Sequence, residues 1–153
     1  MTLSGWRLVR EPWAARAFDG EGARLYGGRW NTPGVKMAYA AEHLSLAVLE
    51  VLVHLQGSAQ LDGFSACRID FDSRMVEMLD RARLPEGWRG YPAPSLLQGM
   101  GDHWIAAGRR PILKVPSAIV DIEHLYLINP AHPAFGRMVP ALPQAFRIDA
   151  RLA

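Results

Sequence analysis

Glu50 stands in the middle of an apolar stretch, Leu44 to Leu55, and is the only carboxylate between Glu42 and Asp62. An isolated buried charge is costly, so a carboxylate there must be paired, hydrogen-bonded or shifted in pKa. Two uses fit the pattern. One is a structural pair with His54 or an arginine; the other is an anion held for chemistry, since perturbed carboxylates collect at active sites. Arg29 follows Gly27-Gly28 and precedes Trp30-Asn31. The glycines let backbone approach a ligand closely, and a guanidinium forks onto a phosphate or diphosphate. A surface arginine in a mobile loop is the competing reading. Ser117 ends a strand-like run, Lys114 to Ala118, where serine more often caps the following segment than meets a ligand. Tyr39 sits in an apolar strand, as a core ring with its hydroxyl at the rim. His54 and His132 read mainly as structural, and His103 with Trp104 as packing or interface residues.

Several familiar chemistries lack their residues. There is no Gly-Lys-Ser/Thr phosphate loop, no Gly-x-Gly-x-x-Gly, no His-Glu-x-x-His and no Gly-x-Ser-x-Gly elbow. The five histidines show no metal-ligand spacing, and one cysteine, Cys67, excludes an intrachain disulfide and a Cys-rich zinc site. No metal is expected. The 17 basic residues include only two lysines, Lys36 and Lys114, and the net charge is +2. The arginines are scattered rather than striped, so direct nucleic-acid binding is not expected. No apolar run reaches the roughly 20 residues a membrane helix needs, and the N-terminus lacks a signal-peptide core. A cytoplasmic protein is expected.

The elements that must position these residues can be read from pattern. The 153 residues suit one domain spanning 1–153, with no internal repeat or linker. Strands are expected at Leu3 to Val9, Val35 to Ala40, Phe64 to Phe71, Ile112 to Pro116 and Leu125 to Ile128, with a last edge strand at Phe146 to Ile148. Residues 19–28 carry four glycines and read as a loop; Pro33-Gly34 fits the centre of a type II turn. A helix from Leu44 to Gln56, capped by Ser45 and ended by Gly57, is apolar on nearly every side and reads as buried. After a Pro/Gly-rich loop at 85–94, Ser95 is expected to cap a second helix ending at Gly108. Strands and helices in irregular order give a mixed α/β or α+β domain rather than a doubly wound nucleotide fold.

Together, Gly27-Gly28-Arg29-Trp30-Asn31-Thr32-Pro33-Gly34, Tyr39-Ala40-Ala41-Glu42 and Leu49-Glu50-Val51-Leu52-Val53-His54-Leu55 resemble the RES domain, named for an Arg, a Glu and a Ser. Gly101-Asp102-His103-Trp104, Val115-Pro116-Ser117 and Asn129-Pro130-Ala131-His132-Pro133 extend the resemblance, which runs from Trp6 to Arg151. The naming positions fall on Arg29, Glu50 and Ser117. The resemblance implies an ADP-ribosyltransferase-like α+β fold of mixed twisted sheets with flanking helices. It also implies a toxin of a toxin–antitoxin pair that cleaves the nicotinamide–ribose bond of NAD+, passing ADP-ribose to water or phosphate. The implied partner is an Xre-like helix-turn-helix antitoxin that covers the active site, with a homodimer inside the complex.

In that reading Glu50 stabilises the cationic ribose, and Arg29 holds the neighbouring phosphates. Tyr39 stacks on nicotinamide or orients the ribose, and Ser117 bonds the ribose or the amide. Arg7 and Tyr26 line the same pocket. Transfer of ADP-ribose to a cellular protein, a non-catalytic partner-binding module and a ribonuclease are the rival readings; the missing basic stripe counts against the last.

Overall fold

In a computed structural model that describes residues 1–55 and 60–153, the strands join one curled sheet. β1 (Thr2–Arg10) lies near its middle, antiparallel to β3 (Phe64–Asp72) on one side and β2 (Ala38–Ala41) on the other. Beyond β2 come β6 (His124–Ile128), β5 (Ile112–Pro116) and the short β4 (Val76–Met78), which runs parallel to β5. β3 is extended on its free side by β7 (Val139–Pro140) and β8 (Gln144–Phe146). The five longer strands follow the apolar pattern. β4 and β7 are two or three residues long, too short for periodicity to signal. The last strand lies at 144–146 rather than 146–148, and Ile148 instead plugs the core beneath it.

Both faces of the sheet are covered. In β6, Leu125 and Leu127 point into one cluster with Trp30, Leu97 and Trp104, while Tyr126 and Ile128 point into another with Ile69 and Phe71. This two-sided burial explains why these strands read as continuous apolar runs instead of alternating ones.

Among the described residues, three α-helices complete the α+β architecture. α1 (Glu21–Tyr26) occupies the stretch expected to be a loop. Its glycines act at its ends: Gly20 (φ 75°) enters the helix and Gly27 (φ 74°) stops it, both in backbone conformations a side chain resists. α2 (Leu44–Leu55) starts one residue ahead of Ser45, so that serine is not its cap; the Ala47 N–H bonds the His43 carbonyl at 3.1 Å. The expected end at Gln56-Gly57 lies outside the described residues. Only Leu46, Ala47 and Val48 of α2 are buried, and Val53 and His54 are exposed, so the fully buried helix is corrected. α3 (Ser95–Ala107) is preceded by Pro94, with no capping bond from Ser95. It ends as expected at Gly108, in the left-handed conformation. The Pro33-Gly34 turn is closed by Val35 N–H to the Thr32 carbonyl at 3.2 Å.

Candidate active site

Ala47, Glu50, Val51 and His54, one helical stripe, line a cavity of about 1050 Å³. Its other walls are β1, β2, the segment around Arg29 and the strap of residues 89–93. Arg7, Tyr26, Arg29, Tyr39 and Glu50 therefore meet in one space although they come from five different segments.

Glu50 is partly buried, and burial pushes its pKa up. The Ser117 hydroxyl opposes that shift most, donating to Glu50 Oε1 at 3.1 Å, followed by the charges of His54 and Arg29. Ser117 is itself fully buried, and its Oγ accepts the N–H groups of Ile119 and Val120 at 3.0 and 3.2 Å. A hydroxyl has one proton and two lone pairs. All three are used inside the protein, so Ser117 orients Glu50 and caps the turn after β5. This includes the capping role that its sequence context favours; the bond to ribose or amide implied by the resemblance would require one of these three partners to be released.

Tyr39 is used in the same way. Its hydroxyl donates to Asn31 Oδ1 at 2.6 Å and accepts the Trp30 N–H at 3.0 Å. Asn31, fully buried, in turn donates to the carbonyls of Ala23 and Val35 at 2.8 and 3.1 Å. Tyr39 thus shapes the segment that carries Arg29, and its ring forms part of the cavity wall. Gly28 is required beneath it, because a Cβ there would stand 2.7 Å from the Tyr39 hydroxyl. Burial raises the Tyr39 pKa well beyond the ordinary phenol range, so the hydroxyl keeps its proton.

α3 clamps the same segment from the opposite side. Gln98 Nε2 donates to the carbonyls of Gly28 and Asn31 at 3.0 and 3.1 Å. Asp102, one turn later, accepts from Thr32 N–H at 3.0 Å and Thr32 Oγ1 at 2.6 Å. Trp30 is wholly buried under this clamp, in the core cluster with Leu97 and Trp104. The sequence reading missed Gln98. Two polar residues spaced i, i+4 on a largely apolar helix were the available signal.

Arg29 reaches across the cavity mouth. Its Nη1 donates to the carbonyls of Trp88 and Gly90 at 2.8 and 3.0 Å, holding the strap. Of its five N–H groups, those on Nε and Nη2 make no hydrogen bond to a described residue. Between the two carbonyls, Arg89 points the other way. Its Nε and Nη2 donate to the carbonyls of Ala118 and Ile119 at 2.9 and 3.1 Å, just past Ser117. The strap therefore joins the Arg29 side of the cavity to the Ser117 side, which sequence reading did not foresee. Arg7 projects from β1; burial lowers its pKa, with Asp19 the foremost opposing charge. Its guanidinium makes no hydrogen bond to any described residue. Tyr26 lies at the rim, 84% exposed.

His132 accepts the Ala134 N–H at 3.0 Å and so caps a turn, as a structural histidine. Among the described residues, no group of three or more His, Cys, Asp or Glu comes together to hold a metal, and no helix is long and apolar enough to cross a membrane.

Residues 4–149 match the family model described as the RES domain. A protein named Toxin Res from Yersinia enterocolitica is 36% identical over 148 residues, covering 96% of this chain and 97% of its own. The Prs ADP-ribosylating toxin of a Sphingobium species is 39% identical over 139 residues, covering 87% and 86%. A chain of the Mycobacterium tuberculosis MbcT–MbcA toxin–antitoxin complex shares the fold, with a TM-score of 0.77 at 20% identity over 96% of this chain and 85% of that one. By the extent of the model match and the near-full-length likeness to these toxins, the chain belongs to the RES domain family.

Proposed function

We propose that this protein is the toxin of a toxin–antitoxin pair and cleaves the nicotinamide–ribose bond of NAD+, depleting the cell of it. One observation carries the reading. A partly buried carboxylate and two guanidiniums with unused N–H groups face a single cavity whose size fits a nucleotide-sized ligand. The name of the Sphingobium relative, an ADP-ribosylating toxin, supports a dinucleotide that carries ADP-ribose.

In this mechanism Arg29 and Arg7 hold the diphosphate, fixing the nicotinamide ribose beside Glu50. The bond from the ribose carbon to the pyridinium nitrogen breaks, and its electron pair neutralises that nitrogen. Nicotinamide leaves uncharged, and positive charge develops on the sugar, as in glycoside hydrolysis. Glu50, ionised and desolvated, stabilises that charge, and the Ser117 donor keeps its oxygen aimed. An acceptor oxygen from water or phosphate then forms the new bond to carbon and releases its proton. Tyr39, Gln98 and Asp102 act through the Arg29 segment as positioning residues. The proposed partner is a helix-turn-helix antitoxin seated over the mouth, where Tyr26, Val53 and Tyr91 are exposed. The fold neighbour comes from a toxin–antitoxin complex, which is in keeping with such a partner.

Purified protein incubated with NAD+, with and without phosphate, should release nicotinamide together with ADP-ribose or its phosphorylated form. Unchanged NAD+ would overturn the reading. The Sphingobium name also favours a second reading, transfer to a protein; a labelled protein band from labelled NAD+ and lysate, without free ADP-ribose, would establish it.

A further inference from the structure

The cavity mouth carries two tyrosine rings that the mechanism leaves unused. Tyr26 is 84% and Tyr91 is 83% exposed, yet both contribute to the cavity lining. Neither hydroxyl has a hydrogen-bond partner among the described residues. Both residues lie on chain segments that meet at Arg29 and line the same cavity. Tyr26 ends α1, three residues before Arg29, where the positive φ of Gly27 turns the chain. Tyr91 follows Gly90, whose carbonyl Arg29 holds at 3.0 Å. Arg89 pins the other side of the strap to Ala118 and Ile119, so the backbone that presents Tyr91 is tied at both edges of the mouth.

We infer that Tyr26 and Tyr91 form the subsite for the adenine base of the dinucleotide. The inference rests on the NAD+ reading above. With the nicotinamide ribose beside Glu50 on α2 and the diphosphate on Arg29, the adenosine half must continue past Arg29. The groups presented there come from the two segments that Arg29 joins, and each offers an exposed aromatic face. A purine presents a flat π-surface that stacks on tyrosine without needing a hydrogen-bond code. The tyrosines thereby determine preference for the whole dinucleotide over nicotinamide mononucleotide, which has the same scissile bond but no adenosine.

The test compares the full-length protein with Y26A, Y91A, the double variant, and Y91F, using NAD+ and nicotinamide mononucleotide as substrates. AMP binding is followed by calorimetry. The double alanine variant should lower the preference for NAD+ over the mononucleotide about tenfold, the scale of one lost base–aromatic stack. It should also lose AMP binding, whereas Y91F keeps both. An unchanged preference, or AMP binding equal in wild type and double variant, overturns the inference. If AMP binding depends on the rings while NAD+ is left intact, the base subsite stands and the reaction reading falls. Both side chains are exposed, so melting curves of the variants should match the wild type, and a collapsed melt in the double variant is replaced by the Y91A and Y91F pair.

Discussion

Ser117 gives its only hydroxyl proton to Glu50, Oγ to Oε1 at 3.1 Å, across 67 residues of chain. Two of the three residues that name the family thus form one unit, and the third, Arg29, reaches it through the strap and through its charge on Glu50.

Glu50→Gln is expected to slow nicotinamide release about a hundred- to a thousandfold, the loss typical when one preorganised electrostatic group is removed. The fold should persist. Burial raises the Glu50 pKa, so its ionised form is the one the folded state disfavours. The melting temperature of the variant should equal or exceed that of the wild type at neutral pH. Normal turnover would remove Glu50 from the reaction.

The same shift sets a pH dependence. With the ionised carboxylate as the working form, kcat/KM falls as pH drops through a pKa above the ordinary glutamate value of about 4.3. For stability the sign runs the other way. The folded state holds this proton more tightly than the unfolded one, so the Glu50 contribution is most favourable below about pH 4.3 and is lost as pH rises through its higher folded value. A kcat/KM profile without an acid limb would contradict the assignment.

Ser117→Ala removes the donor that favours the ionised carboxylate, so the acid limb should move to higher pH. The plateau rate should fall about tenfold, within the range for a hydrogen bond to a charged group. A plateau loss with an unmoved limb would mean that Ser117 only caps the turn at Ile119 and Val120.

Arg29→Ala should raise the KM for NAD+ at least about tenfold and loosen the strap, because the Trp88 and Gly90 carbonyls lose their donor. Faster amide hydrogen exchange across residues 86–92 is the second readout. Arg29→Lys retains the charge without the fork and should recover only part of either property. Unchanged kinetics would rule out the phosphate-holding role.

Gly101→Ala tests the clamp by packing alone. A Cβ at Gly101 would collide with the Trp30 carbonyl oxygen, pushing α3 away from the Arg29 segment. A destabilisation of about 1–3 kcal/mol or more is expected in urea unfolding, the range for overpacking a core.

The fold class, the longer strands, the body of α2 and the end of α3 were legible in the sequence, and its patterns and resemblance single out Arg29, Tyr39, Glu50 and Ser117 as candidates. Apolar runs, glycine punctuation and a lone carboxylate among aliphatics are local signals, and local patterns record burial and backbone demands. The 19–28 segment reads as a loop although it holds α1, because glycines that end a helix look, in sequence, like glycines of a loop. The strap was hidden because its ties are side chains bonding distant carbonyls, and a carbonyl belongs to every residue alike. The same limit hid the roles of Ser117 and Tyr39. Their types announced hydroxyls, but only tertiary contacts decided where each proton went, since a partner such as Glu50 lies 67 residues from Ser117 in the chain and one hydrogen bond away in space.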